Sequence, residues 1–236
     1  MSVALVTGGS AGLGRALVHA LADRGWTVVT DGRDADRLAA AVGRRTEVVA
    51  LPGDVTDAEH RAALAEEVGR QGRLDLLVHN ASNLGRSPLP RLEELGPEDF
   101  TDVWRPNIGA PLQLTSLLLQ ALTASRGVLL TISSDAGVEH YSGWGLYGAS
   151  KAALDHVALQ FAAENPAITA YAVDPGDMRT AMHQAAFPGE DISDRPLPET
   201  VVPRILALLD QRPASGRYQA ADFASRSSRD ESAEVA

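Results

Sequence analysis

The sequence predicts a doubly wound α/β fold, a parallel sheet covered by helices on both faces, and three observations carry that prediction. Short apolar runs rich in Val, Leu and Ile recur along a chain of 236 residues. Longer stretches of helical character separate them. A glycine-rich turn follows the first run directly, at the point where a strand would pass into a helix. Strands buried on both faces read as nearly continuous apolar segments, and their alternation with helices implies parallel pairing.

In order, the apolar runs are Val3 to Thr7, Thr27 to Thr30, Glu47 to Leu51, Leu74 to His79, Gly127 to Ser133 and Ile168 to Val173. A seventh strand is expected near Arg217 to Ala221. Helical stretches lie at Gly12 to Arg24, Ala58 to Arg70, Leu112 to Ala124 and Gly148 to Ala163, and another begins near Glu199. Residues 181 to 200, with Pro188, Gly189, Pro196 and Pro198 among acids, read as a long loop or lid that shapes a ligand site. From about Ser225 to Ala236 the chain is small, polar and charged and reads as a disordered tail, leaving residues 1 to 224 as one domain.

Bulk properties narrow the function. A hydrophobic content of 44% suits one large core and leaves no room for a second folded domain. The formal charge is −10, from 31 acidic and 21 basic residues, without a Lys/Arg block, which argues against a nucleic-acid partner. No cysteine is present, so disulfides, thiolate nucleophiles and Cys-ligated metals are excluded, and the six histidines lack metal-ligand spacing. The first apolar run starts at Val3 without a charged segment before it, and no apolar stretch is long enough to span a bilayer. No signal peptide or membrane partner is expected, and the expected location is the cytoplasm.

The turn reads Thr7-Gly8-Gly9-Ser10-Ala11-Gly12-Leu13-Gly14. Gly8, Gly12 and Gly14 let the backbone turn tightly and approach a pyrophosphate, to which a helix N-terminus offers free N–H groups and a positive dipole end. The alternative is a tight strand-to-helix turn with no ligand. After the second strand comes Thr30-Asp31-Gly32-Arg33, where such folds read the adenosine ribose. An acid there accepts from a 2′-hydroxyl, whereas an arginine pairs with a 2′-phosphate. Arg33 favours NADP(H), with NAD(H) as the alternative; Asp31 in its turn can simply end the strand. Asp54 and Val55, after the third strand, would border the adenine. After the fourth, His79-Asn80-Ala81-Ser82 offers small residues beside the cofactor.

Tyr147 and Lys151 stand four apart in Tyr-Gly-Ala-Ser-Lys, with Ser134 thirteen residues before the tyrosine. A spacing of four sets both side chains on one helix face, where an ammonium beside a phenol favours phenolate and brings the group toward acid/base duty. Ser134 would hydrogen-bond a carbonyl oxygen held against that phenol. The alternative is a surface helix on which Tyr and Lys are neighbours by chance.

Together these residues resemble the short-chain dehydrogenase/reductase family, in its compact single-domain branch, from Val3 to about Ala221. The family's glycine motif matches at Thr7, Gly8, Gly12 and Gly14, and its catalytic tetrad at Asn107, Ser134, Tyr147 and Lys151. Its Pro-Gly turn after the sixth strand matches at Pro175 and Gly176, followed by Thr180, which the resemblance places against the cofactor. The resemblance implies hydride transfer between a nicotinamide and a small carbonyl or alcohol. Tyr147 would be the acid/base, Lys151 would lower its pKa and hold the nicotinamide ribose, Ser134 would orient the substrate oxygen, and Asn107 would support a water behind Lys151. A homodimer or homotetramer is also implied. A different class, a dinucleotide sensor or scaffold without catalysis, shares the same fold.

The chain departs from the family pattern where His79 replaces an Asn and Ser82 a Gly, and where Ala221-Asp222-Phe223 replaces Asp-Gly-Gly after the last strand. His79 reads as a hydrogen-bonded structural group. For the substrate, a site edged by Trp144, Met182 and Phe187 would accept an apolar or aromatic ring, with His140 or His183 supplying polar contacts. Plain core packing is the alternative for Met182 and Phe187.

Overall fold

Seven parallel strands form one sheet in the order β3-β2-β1-β4-β5-β6-β7. They are β1 (Val3–Val6), β2 (Thr27–Gly32), β3 (Val48–Pro52), β4 (Leu76–His79), β5 (Val128–Ile132), β6 (Thr169–Asp174) and β7 (Gly216–Gln219). The computed structural model describes residues 1–223, so the boundary at 224 and the tail reading of 225–236 lie outside the described residues.

Apolar residues sort by the two-residue period of a strand. Leu5, Val29, Leu77, Leu129 and Ala170 pack on one face with α3 (Ala58–Gln71), α5 (Ala110–Ala124) and α6 (Gly145–Glu164). Ala4, Val6, Val28, Leu76, Val78, Leu130, Tyr171 and Val173 pack on the other with α1 (Gly12–Asp23), α2 (Ala35–Val42) and α8 (Pro198–Gln211). Both sheet faces are thereby buried, which explains why the strands lack polar alternation. The chain winds outward from β1 to β3 and then returns to β4 beside β1. This switch point opens a crevice at the carboxyl ends of the strands.

Two local features position the site. After α4 (Pro97–Trp104), the helix widens into a π turn over Arg105–Gly109 before continuing as α5. Pro106 lacks an N–H and its ring crowds the carbonyl of the preceding turn, so the regular ladder breaks there and Asn107 falls on the bulge. The second feature corrects the sequence expectation for residues 181 to 200. That stretch is not all loop, because Ala181–Ala186 form a short helix, α7. Thr180 caps it, its Oγ1 accepting the His183 N–H at 3.1 Å. α8 begins at Pro198, one residue ahead of Glu199. Among the described residues, no helix is long and apolar enough to cross a membrane.

His79 ends β4 and is fully enclosed. Its Nε2 shares a 2.7 Å hydrogen bond with Thr115 Oγ1 of α5, while Nδ1 has no partner. The structural reading of this residue therefore holds in its geometry, and burial pulls its pKa from 6.5 down to about 3. Between those values the unfolded chain binds a proton that folded His79 refuses, so stability is lost as pH falls through this window. The group's contribution is about 1.4 kcal/mol per pH unit. Denaturant unfolding of wild type and His79→Asn between about pH 7 and about pH 4.5 is expected to show a shallower acid decline in the variant. Parallel declines would mean that His79 charges in place without penalty.

Candidate active site

A cleft of about 660 Å³ opens at the switch point. At one end lies the glycine turn, with Gly8 at φ +73° and Gly12 at φ +52°, values that disfavour any side chain. A Cβ on Gly14 would stand 2.3 Å from Gly8 O and 2.4 Å from Asn80 Nδ2, so the turn is closed against its own helix. Asn80 Nδ2 donates to Thr7 O and Gly8 O at 2.9 and 3.2 Å. Thr7 Oγ1 accepts from the N–H groups of Asn80 and Ala81, each at 3.1 Å. Gly8, Ser10, Gly12 and Leu13 line the cleft. Thr7 and Gly14 stand behind that wall and shape it. Across the cleft, Pro175, Gly176 and Thr180 face the turn, and Thr180 Cγ2 would lie 3.5 Å from a Cβ on Gly12.

Asp31 and Arg33 differ in what they leave free toward the cleft. Asp31 is buried with both oxygens engaged, Oδ1 accepting from Gly8 N–H at 2.7 Å and Oδ2 bonded to His60 Nε2 at 3.2 Å. Its carboxylate braces the glycine turn and is not free for a ribose hydroxyl. Arg33 is exposed and lines the cleft, joined by Arg37 from the first turn of α2, which sequence reading missed. Asp54 and Val55 line the same end. Burial pushes the Asp54 carboxyl up, but hydrogen bonds from Thr56 and the guanidinium groups of Arg33 and Arg105 outweigh it and hold its pKa below the ordinary value.

At the other end, Ser134, Tyr147 and Lys151 share one wall. Tyr147 and Lys151 lie on α6 as the spacing required. Lys151 Nζ donates to Ile132 O at 2.8 Å and sits 5.4 Å from the Tyr147 ring centroid. Ser134 Oγ donates to Asp135 Oδ1 at 3.0 Å and accepts the Ala136 N–H at 3.2 Å. The helix comes this close to the serine turn only because residue 148 is glycine, since a Cβ there would be 2.2 Å from Ala136 O. Behind the turn, Arg217 of β7 donates to Ser134 O at 2.9 Å and to Asp155 Oδ2 at 3.2 Å, and Ser133 Oγ donates to the same carboxylate oxygen at 2.6 Å. No local motif marks Arg217, which reaches the site only through the strand order.

Asn107 does not line the cleft. Its Oδ1 accepts from Ser82 Oγ at 3.1 Å and Asn83 N–H at 2.7 Å, and its Nδ2 donates to Asn83 O and Ser150 Oγ, both at 2.9 Å. Those four bonds saturate the amide. The side chain is thus a structural tie, with no donor or acceptor left over for a water.

Electrostatics reverse one expectation. Burial pushes the Tyr147 phenol well above its ordinary pKa; the Ser82 hydroxyl pulls it down, while Asp135 and Asp174 push it further up. Burial also lowers Lys151 to about 8, against the pull of Asp155. In the free protein, desolvation thus outweighs the effect the spacing suggested, and both groups are driven toward their neutral forms.

Trp144, Met182 and His183 edge the Tyr147 end of the cleft. Phe187 stands one layer behind, its ring 6.0 Å from Trp144 and 4.9 Å from His183. Trp144 in turn meets Tyr147 edge-on at 5.8 Å. His140 is exposed and does not line the cleft, which corrects its candidacy as a polar contact, whereas His183 does line it.

The family model described as short chain dehydrogenase matches residues 2–191. The chain is 32% identical over 226 residues to the uncharacterized oxidoreductase YciK of Escherichia coli, covering 91% of this chain and 89% of that protein. Two solved structures at 32% identity superpose with TM-scores of 0.84. One is a short chain dehydrogenase from Shigella flexneri complexed with NADP, covering 93% of this chain and 97% of that one. The other, from Escherichia coli and complexed with NADPH, covers 93% and 96%. Sheet order, glycine turn and sequence likeness lead to the same place, and the chain belongs to the short-chain dehydrogenase/reductase family of oxidoreductases.

Proposed function

We propose that this protein transfers hydride between NADP(H) and a small carbonyl or alcohol, with Tyr147 as the acid/base. The observation that carries this reading is the sharing of one cleft by the glycine turn, two arginines at the ribose end, and Ser134, Tyr147 and Lys151 at the other. The residues fit the cofactor. The left-handed glycines admit a pyrophosphate against backbone N–H groups, Arg33 and Arg37 suit a 2′-phosphate, and the engaged Asp31 removes the acceptor that a free 2′-hydroxyl would want. When bound, the nicotinamide supplies the hydride chemistry.

The chain's own groups then manage position and charge. Ser134 Oγ gives up its bond to Asp135 and donates to the substrate oxygen. The Tyr147 phenol gives its proton to the forming alkoxide in reduction, or its phenolate takes the hydroxyl proton in oxidation. Lys151 has three N–H donors, one of them held by Ile132 O, and the others serve the nicotinamide ribose hydroxyls. Its lowered pKa means that the ammonium fades as pH rises through about 8. Trp144 and Met182 favour a substrate with an apolar or aromatic ring, backed by Phe187.

Tyr147→Phe is expected to bind NADPH within about threefold of wild type while turnover falls by about 10²-fold or more, the usual worth of a positioned acid/base. Equal turnover on a carbonyl panel would remove the assignment, and NADPH binding with no turnover in the wild type would favour a nucleotide sensor. For cofactor choice, Arg33→Ala and Arg37→Ala are each expected to weaken NADPH by about 1.5 to 3 kcal/mol more than NADH in fluorescence titrations. Equal losses for both nucleotides would overturn the preference.

A further inference from the structure

His60 does not line the cleft, yet one buried carboxylate ties it to the glycine turn. Asp31, 2% exposed near the end of β2, holds the turn twice. Its Oδ1 accepts the Gly8 N–H at 2.7 Å, and its main-chain carbonyl accepts the Gly9 N–H at 2.9 Å. Among the described residues, the remaining oxygen, Oδ2, has one partner, His60 Nε2 at 3.2 Å. An ionised carboxylate only accepts, so Nε2 carries the hydrogen of that bond. His60 stands in the first turn of α3 and is itself buried. Its ring reaches Asp31 past residue 53, where a Cβ would stand 2.2 Å from His60 Nδ1, so this approach needs the glycine found there. The Gly53 N–H donates to Gly32 O at 3.0 Å and keeps the ends of β3 and β2 side by side beneath the ring's two neighbours.

We propose that His60 is a positioning residue for the nucleotide pyrophosphate: by holding Asp31 Oδ2 it keeps Oδ1 on Gly8, and so keeps the glycine turn in the shape that admits the phosphates. The inference rests on the reading of the cleft as a dinucleotide site and makes no use of Tyr147. Without the imidazole, Oδ2 is left buried with no donor, a penalty that the carboxylate escapes by turning toward water or by taking a proton. Either escape loosens Oδ1 from Gly8. At φ +73° Gly8 has a backbone conformation with several alternatives open to it and no side chain of its own to hold it in place. A loosened turn has to be formed again when nucleotide binds, and the apparent affinity falls with the fraction of molecules that hold the competent shape.

Charge acts in the same direction. A pyrophosphate brings negative charge to a turn already backed by a carboxylate, and the bond from His60 draws the Asp31 charge toward Oδ2, the oxygen that does not hold Gly8. This role differs from that of Arg33 and Arg37. The arginines suit the 2′-phosphate that separates NADPH from NADH, whereas His60 acts on the part that the two nucleotides share.

That difference supplies the test. NADPH and NADH are titrated by fluorescence, and adenosine 2′-monophosphate by calorimetry, into wild type, His60→Leu, His60→Ala and His60→Gln. Both hydrogen-bond-free variants are expected to weaken NADPH and NADH by one common factor of about ten, the worth of one hydrogen bond to a charged group. Adenosine 2′-monophosphate, which reaches the arginines and carries no pyrophosphate, is expected to bind as in wild type. His60→Gln, whose amide N–H can take the place of the imidazole Nε2–H, is expected to return both dinucleotides to within about threefold of wild type. Dinucleotide affinities unchanged in the Leu and Ala variants would overturn the proposal, and either variant alone decides it if the other does not fold. A loss shared equally by adenosine 2′-monophosphate would overturn it as well, since His60 would then be a general support of the adenine end. Wild type that binds neither dinucleotide would instead remove the reading of the cleft on which the proposal stands.

Discussion

The geometry of this site depends on one saturated side-chain amide. Asn107 sits on a π turn that Pro106 forces into an otherwise continuous helix, and from there it binds the loop after β4 through Ser82 and Asn83 and the helix α6 through Ser150. Three segments far apart in sequence converge on four hydrogen bonds. Each buried partner left unpaired would cost about 1 to 3 kcal/mol, so the segments are held in register as a unit. Because Ser150 lies between Tyr147 and Lys151, fixing it fixes both.

A second constraint is close backbone approach. Gly148 brings α6 onto the turn of Ser134, and Gly14 brings α1 onto the glycine turn, with Asn80 locked between them. Arg217 and Asp155 complete the back wall by holding Ser134 O and Ser133 Oγ. The cleft is thus tied by hydrogen bonds and close backbone contacts where chemistry is proposed, and near α7 Trp144 and Met182 meet the space a substrate would fill.

Charge is divided along the cleft. Arg33, Arg37 and Arg105 gather at the end near Asp54, while Asp135, Asp174 and Asp177 lie at the end near Tyr147. Enclosure of Tyr147 and Lys151 drives both toward neutrality. The free protein therefore holds an uncharged phenol beside a cation whose charge is lightly held.

Much was legible in the sequence. Strands buried on both faces must be apolar throughout, so Val3 to Val6 or Leu76 to His79 announce themselves; left-handed turns demand glycine, so Gly8 and Gly12 do too. The i to i+4 spacing of Tyr147 and Lys151 is a property of any helix. What stayed hidden depends on distant partners. α7 has only the Thr180 cap and six residues to mark it, too short to carry a period. Asp31 could end its strand or accept from a ribose hydroxyl until Gly8 and His60 took its oxygens, and nothing along the chain shows that four protein groups fill the Asn107 side-chain amide. The direction of the Tyr147 shift in the free protein was hidden for the same reason. Local spacing places a cation near a phenol, but burial is set by the whole fold, and here it outweighs the neighbour. Sequence alone determined the fold class, the family and many of the residues that face the cleft; only the tertiary structure decided which of their polar atoms remain free, because hydrogen-bond partners are chosen across the sheet and not along the chain.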